Sequence, residues 1–267
     1  MTASLSARND LHSLLGPIAE LAANAGGKIL EIAKGDLGTS RKQDKSPVTA
    51  ADVAAEDLLR EGLAKLLPGV PFIGEESVER GHMPEPGREF LLIDPLDGTR
   101  EFIAGRDEYT VNIGLVSNGV PVLGVIYAPA NRIIHAGAQG RALRVALAPG
   151  AKFDAYAAER IRARERPAEL VAAVSRSFLE KRSEDFLATL PVASRLSYGS
   201  SVKFTFLAEG KADVYPRFAP ICEWDVAAGH ALLNAAGGRV EQIDGAPMTY
   251  GARDQKFRFG GFVAWGA

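Results

Sequence analysis

The stretch Leu91–Thr99, with the sequence LLIDPLDGT, decides how this chain is expected to fold. Its first residues form an unbroken apolar run, which is typical of a short strand that is buried on both faces. Pro95 fixes the backbone torsion φ and Gly98 permits a tight turn, so a compact loop should follow Asp94. Asp94 and Asp97 would then share one loop, where paired carboxylates suit a hard divalent cation such as Mg²⁺. An ordinary Asp-Pro/Asp-Gly turn explains the same residues.

The amino-acid composition excludes some classes of protein. A chain of 267 residues can bury one large core or two smaller ones, and 46% hydrophobic with 24% charged residues is ordinary for a globular protein. The net charge of −2 gives no bulk attraction for a nucleic-acid polymer. The four histidines are scattered without a zinc spacing.

The same composition predicts the location of the protein. Cys222 is the single cysteine and cannot form an internal disulfide, which favours a reducing compartment. The sequence has no transmembrane segment and no signal peptide, so we expect a cytoplasmic protein. Peripheral contact with the inner face of the membrane stays open, as does the oligomeric state, a homodimer included.

The first half of the chain combines helices with an antiparallel sheet. Helical spacing of apolar residues predicts a helix over residues 11–33, and Thr49 followed by Asp52 marks the start of a second helix. The β-rich runs Thr110–Val116 and Val120–Tyr127 flank Ser-Asn-Gly, which predicts a hairpin. Residues 1–140 are therefore expected to form an α+β part.

The second half alternates strands and helices, which is typical of α/β layers. Residues 141–267 are expected to form this second part, with the functional site in the cleft between the two. The Arg-rich segment Arg160–Arg166 has no assigned role and is predicted to be a solvated helix.

Several acidic residues and one lysine have structural explanations as well as functional ones. Asp52 suits the first turn of a helix, Glu75 and Glu76 can face water at the end of a strand, and Asp225 is a natural N-cap. Lys203 is predicted in the first turn of a helix, where the macrodipole disfavours a cation unless an anion is bound.

Taken together, four motifs resemble one superfamily. SPVTAAD (46–52), GEES (74–77), DPLDGT (94–99) and WDVAAG (224–229) are similar to motifs of the lithium-sensitive, Mg²⁺-dependent phosphatases, which include inositol monophosphatases and fructose bisphosphatases. Longer stretches, such as LLIDPLDGTREFI and EWDVAAGHALL, resemble the bacterial 3′(2′),5′-bisphosphate nucleotidases of the CysQ type. The resemblance implies an inositol monophosphatase-like layered sandwich with an α+β part and an α/β part.

The resemblance also implies a set of metal ligands. Glu75, Asp94 and the backbone carbonyl of Leu96 would hold one Mg²⁺ ion, and Asp94, Asp97 and Asp225 would hold a second. A third, weaker ion is implied near Glu75. Two metals of this kind activate water and neutralise charge on phosphate, so no histidine or cysteine nucleophile is required.

Further roles are implied around the metals. Thr99 and Asp52 would form a hydrogen-bonded pair that orients the attacking water, and Glu76 would support the metal site from outside. The backbone at Gly98 and Thr99 would receive the phosphate. Asp225 would contact substrate as well as metal.

The expected substrate, among those of the superfamily, depends on positively charged side chains. Phe218 occupies the position at which the inositol phosphatases carry an acid, and Arg217 stands beside it, which favours a substrate with a second phosphate. Lys203, Lys45 and Ser200 are the other expected substrate contacts. Tyr198 or Tyr215 could contact an adenine, although aromatic residues at strand ends are as often part of the core.

The resemblance implies hydrolysis of the 3′-phosphate of adenosine 3′,5′-bisphosphate to AMP and phosphate in sulfur metabolism, with the 3′-phosphosulfate precursor as a second substrate and with inhibition by lithium. Inositol 1-phosphate and fructose 1,6-bisphosphate are the alternative substrates on the same fold. A non-catalytic nucleotide sensor is the alternative from another class, and it is disfavoured because every expected metal position carries a carboxylate.

Overall fold

The computed structural model describes residues 11–35, 37–41, 47–177 and 179–267. The helices in these ranges are α1 (His12–Ile32), α2 (Ala50–Leu66), α3 (Glu75–Glu79), α4 (Thr99–Ile103), α5 (Lys181–Ala188), α6 (Val202–Ala208) and α7 (Glu223–Ala236). No helix in the described part of the chain has the length and apolar character needed to cross a membrane.

The strands as far as residue 161 are β1 (Ser40–Arg41), β2 (Pro47–Val48), β3 (Phe72–Gly74), β4 (Glu89–Asp97), β5 (Thr110–Ser117), β6 (Val120–Ala128), β7 (Ile133–Ala138), β8 (Arg141–Ala146) and β9 (Glu159–Ile161). Those that follow are β10 (Leu170–Ser175), β11 (Val192–Tyr198), β12 (Val214–Arg217), β13 (Ile221–Cys222), β14 (Arg239–Glu241), β15 (Arg258–Phe259) and β16 (Phe262–Trp265).

Two large sheets carry the fold. The first has seven strands in the order β3-β4-β5-β6-β7-β8-β9, in which β3 and β4 are parallel and the remaining pairs are antiparallel. The second has five strands in the order β11-β10-β12-β16-β14, with both parallel and antiparallel pairs. The first sheet continues to Ile161 and the second begins at Leu170, so the change of sheet falls between these residues.

Three apolar clusters show how the layers stack. Helices α1 and α2 pack on one face of the first sheet, and α6 and α7 are buried between that sheet and the second one. The outer face of the second sheet packs against α5. Helices and sheets therefore alternate as layers, and this arrangement confirms the layered α/β sandwich that the sequence predicted.

The position of α7 depends on a row of glycines. Gly114, Gly124 and Gly137 are cross-strand partners on β5, β6 and β7. A Cβ atom at Gly124 would lie 2.1 Å from the carbonyl oxygen of Ala228, so only glycine lets the helix backbone come this close. This contact holds α7 against the middle of the first sheet, three residues after Asp225 in its first turn.

Two predictions of local structure were wrong. Helix α7 begins at Glu223 with Cys222 at the N-cap position, so Asp225 lies inside the first turn rather than at the cap. The segment Arg160–Arg166 contains the end of β9 and then chain without regular secondary structure, not a solvated helix. In both places a contact with a distant part of the fold overrides the local pattern, since β9 pairs with β8 and the N–H of Glu223 donates to the carbonyl of Phe257.

Replacing Gly124 with alanine should lower the free energy of unfolding by about 2 kcal/mol, because the new methyl group overlaps the backbone of α7. Chemical denaturation followed by circular dichroism measures this change. Gly260→Ala is the matched control, since a Cβ at Gly260 would have nothing within 4 Å. Equal stability of the two variants would contradict the close-contact role of Gly124.

Candidate active site

Three carboxylates from separate elements meet at one point. Glu75 is the first residue of α3 directly after β3, Asp94 lies on β4, and Asp225 lies in the first turn of α7. Each offers an oxygen, and these oxygens lie within 4.8 Å of one another. The cluster is built by the two parallel strands β3 and β4 and by the helix that the glycine row holds against the sheet.

The electrostatics of this cluster favour a bound cation. Burial raises the pKa of Asp225 well above its usual range, and the neighbouring Asp97 and Glu75 carboxylates raise it further, while Arg217 acts in the opposite direction. Converging like charges in a buried place are costly unless a positive charge offsets them. A set of oxygen ligands is what a hard divalent cation requires, so these residues fit a metal site.

Asp97 is tied to the loop before α6. Its Oδ2 accepts hydrogen bonds from the backbone N–H of Ser201 at 2.6 Å and from the Ser201 hydroxyl at 2.6 Å. Asn112 donates to the same oxygen at 3.3 Å. Asp97 therefore lies beside the three-carboxylate cluster and links the first sheet to α6, and its role as a metal ligand stays a prediction.

Thr99 and Asp52 form the expected pair. The Thr99 hydroxyl lies 3.2 Å from Oδ1 of Asp52 and 3.1 Å from the carbonyl oxygen of Leu96. The other carboxylate oxygen of Asp52 accepts from the N–H of Thr49 at 2.7 Å and from its hydroxyl at 2.6 Å, as a capping box does. One oxygen of Asp52 therefore takes part in the cap of α2, and the other lies near the Thr99 hydroxyl.

Gly98 makes the turn that brings Thr99 to the site. Its backbone is left-handed, with φ 92° and ψ 36°, and a Cβ atom would lie 2.7 Å from the carbonyl oxygen of Glu108. Glycine alone adopts this geometry without strain. The turn starts α4 at Thr99, directly after the carboxylates of β4.

Lys203 lies in the first turn of α6, but its ammonium group is committed to backbone oxygens. Its Nζ donates to the carbonyl of Ser200 at 2.6 Å and to the carbonyl of Tyr198 at 3.1 Å, and it lies 5.1 Å from the centre of the Tyr215 ring. Burial lowers the pKa of Lys203 to about 8. The side chain holds the loop at Ser200, whose φ is 49°, and its contact with a substrate anion stays a prediction.

Arg217 lies at the end of β12 with its side chain in the same cleft. Its Nε is buried and has no hydrogen-bond partner among the described residues. The neighbouring residue Phe218 does not line the cleft but packs on the ring of Phe186, with the ring centroids 5.4 Å apart. Lys45, the remaining predicted substrate contact, lies outside the described residues.

The cleft that joins these groups has a volume of about 320 Å³. Its lining includes the following residues from the predicted set: Glu75, Asp94, Leu96, Asp97, Gly98, Thr99, Ser200, Lys203, Arg217 and Asp225. Tyr215 lines it too but is buried in a ring cluster with Phe204 and Phe262, whereas Tyr198 is 37% exposed.

Sequence reasoning missed Glu56. Its buried carboxylate accepts from the N–H of Glu76 at 2.8 Å, from the hydroxyl of Ser77 at 2.5 Å and from Arg60 at 2.8 Å. It thereby fixes the segment that begins with Glu75. The signal was present in the sequence, because Glu56 follows Asp52 by one helical turn and must share its face of α2.

Comparison with known proteins identifies the class. The sequence model of the Inositol monophosphatase family matches residues 10–257. The chain therefore belongs to the inositol monophosphatase family.

Particular relatives share almost the whole chain. The 3′(2′),5′-bisphosphate nucleotidase CysQ of Salmonella typhimurium is 40% identical over 243 residues, which are 90% of this chain and 95% of that protein. The crystal structure of CysQ from Bacteroides thetaiotaomicron has a TM-score of 0.80 at 35% identity and covers 96% of this chain and 98% of that one. An inositol monophosphatase from Anabaena has a TM-score of 0.71 at 27% identity, with 96% and 91% covered.

We predict that Glu56→Gln weakens the binding of a divalent metal by about tenfold, a loss typical of outer partners of metal ligands. The amide cannot offer two acceptor oxygens to Glu76, Ser77 and Arg60, so Glu75 loses its fixed position. Titration of the protein with Mn²⁺ in a calorimeter measures the affinity. Glu61→Gln is the matched control on the same helix, since Glu61 is exposed and its ion pair among the described residues is with Lys65. Equal Mn²⁺ affinity in both variants would show that Glu56 does not position the cluster.

Proposed function

We propose that this protein is a Mg²⁺-dependent phosphomonoesterase that removes the 3′-phosphate of adenosine 3′,5′-bisphosphate and gives AMP and phosphate. The observation that carries the proposal is the cluster of Glu75, Asp94 and Asp225 in one cleft with Thr99, whose hydroxyl lies 3.2 Å from Asp52. The similarity to bisphosphate nucleotidases over 90% of the chain supports the choice of substrate. The reaction would serve sulfur metabolism in the cytoplasm, with the 3′-phosphosulfate precursor as a second substrate.

The metal ligands in this proposal are the carboxylates already described and the backbone carbonyl of Leu96. Glu75, Asp94 and the Leu96 carbonyl would hold one Mg²⁺, and Asp94, Asp97 and Asp225 a second, with a third, weaker ion near Glu75. When bound, such ions supply positive charge that offsets the charge of the phosphate and raises the acidity of water.

The protein's own groups supply position and hydrogen bonds. The Thr99 hydroxyl has one proton, which it can donate to Asp52, and its lone pairs then accept a proton of a water molecule and orient it. The two bonds from Thr49 hold the Asp52 carboxylate still while it accepts from Thr99. In this proposal the N–H groups of Gly98 and Thr99, which open α4, would receive phosphate oxygens.

Arg217 and the loop held by Lys203 support a substrate with a second phosphate. A guanidinium group pairs with phosphate through two parallel hydrogen bonds, and an inositol hydroxyl offers no such charge. The inositol and fructose phosphates remain the second candidate, because the carboxylate cluster would serve any phosphate monoester.

Phosphate release with Mg²⁺ tests the proposal, with adenosine 3′,5′-bisphosphate, inositol 1-phosphate and fructose 1,6-bisphosphate measured side by side. We expect kcat/KM to be highest for the nucleotide. The control is Asp94→Asn, which should abolish turnover but leave the circular dichroism spectrum unchanged, since it removes one charge from a repelling cluster. Preference for a sugar phosphate would overturn the substrate assignment. Binding of the nucleotide without any turnover would instead favour a non-catalytic sensor.

Arg217→Ala should raise KM for adenosine 3′,5′-bisphosphate by about tenfold or more, because a charge-assisted contact with the second phosphate is lost. The KM for inositol 1-phosphate should change much less, since that substrate has one phosphate. Steady-state kinetics on both substrates measures the difference. Equal increases in the two KM values would remove the argument for a second phosphate contact at Arg217.

A further inference from the structure

The Arg-rich segment Arg160–Arg166 divides into two pairs of arginines with different surroundings. Arg164 donates to both carboxylate oxygens of Asp213 at 2.7 Å each. Arg166 lies over the ring of Trp265, 5.1 Å from its centre. These two side chains therefore have structural partners that account for their charge.

The other two arginines line a cavity of about 410 Å³ outside the active-site cleft. It opens at the β8–β9 edge of the first sheet and at the end of α6, and it is lined by Arg144, Glu159, Arg160, Ile161, Arg162, Glu209 and Lys211. Arg160 donates to the carbonyl of Gly140 at 3.2 Å. Among the described residues, neither Arg160 nor Arg162 has a carboxylate within 4.0 Å.

The carboxylates of this cavity are already engaged. Glu209 is buried, lies 2.5 Å from Nε2 of His135 and 3.4 Å from Arg144, and also pairs with Lys211. These contacts lower the pKa of Glu209 to about 2, although burial alone would raise it. Glu159 lies 3.7 Å from Arg144.

The cavity therefore has an excess of positive charge. Its lining holds four cationic side chains and two carboxylates, so two positive charges are in excess. The whole chain has a net charge of −2, so the excess belongs to this place and not to the protein in general.

We propose that this cavity is a binding site for a tetrahedral dianion, namely a phosphate or sulfate group, either free or carried as an ester on a small molecule. Arg160 and Arg162 supply guanidinium groups that match two oxygens of such an anion, and Arg144 and Lys211 surround it from β8 and from the end of α6. The buried His135–Glu209 pair holds that end of α6 against β7 and so fixes the wall of the site.

The test is calorimetric titration of the full-length chain with inorganic phosphate at low ionic strength, after treatment with EDTA to remove metal from the catalytic cleft. The double variant Arg160→Gln/Arg162→Gln should bind phosphate about tenfold more weakly or not at all, since two charge-assisted contacts are lost. Each single variant is measured too, and circular dichroism verifies that all variants fold.

Two controls separate this site from other sources of phosphate binding. Lys34→Gln/Arg195→Gln removes the same charge from exposed positions and should keep the wild-type affinity. Arg217→Gln alters the catalytic cleft and should also keep the affinity of the cavity. An equal loss in the Lys34/Arg195 variant, or a loss confined to Arg217→Gln, would overturn the proposal.

A second titration with ribose 5-phosphate identifies the source of the anion. Binding that depends on Arg160 and Arg162 for inorganic phosphate alone assigns the site to the free ion, whereas the same dependence for the ester assigns it to a phosphorylated small molecule. No dependence in either titration would contradict the site.

Discussion

The constraint on which the structure depends is the repulsion among carboxylates that the fold forces together. Glu75, Asp94 and Asp225 place oxygens within 4.8 Å of one another. Asp94 is buried and the other two are partly buried, so uncompensated charge there is costly. Such a cluster persists only if packing of rigid helices and strands fixes the positions of its carboxylates. Here each member lies on a different element, and each element is held by contacts that do not involve the carboxylate itself.

Helix α2 and helix α7 provide most of that rigidity. Asp52 and Glu56 lie one turn apart on α2, so a single helix supports both the Thr99 hydroxyl and the segment that begins with Glu75. Helix α7 reaches the sheet across the glycine row, where the approach at Gly124 leaves no space for a methyl group. The acidic site is therefore a consequence of backbone packing, and the carboxylates occupy positions that the packing has already fixed.

The sequence predicted the parts of this arrangement that leave a local signal. The DPLDGT turn, the Thr49–Asp52 cap and the β-hairpin were found because the responsible residues are close in the chain. The bond between Asp97 and Ser201 joins residues that are 104 positions apart, and no local pattern contains it. The course of Arg160–Arg166 was missed for the same reason, since its first residues, Arg160 and Ile161, pair with β8.

In the proposed function, the cations around the cleft select the substrate on which the carboxylate cluster acts. Lys203 donates its hydrogen bonds to the carbonyls of Tyr198 and Ser200. It would therefore act on a ligand through its positive charge and through the shape of the loop at Ser200. Arg217 has a buried Nε without a protein partner in the described part of the chain, and its guanidinium group faces the same cleft. Of the two, Arg217 is therefore the residue that we propose for a contact with a second phosphate. Substrate choice would then depend on a side chain of β12 in the second sheet, while most of the acidic groups are built on the first.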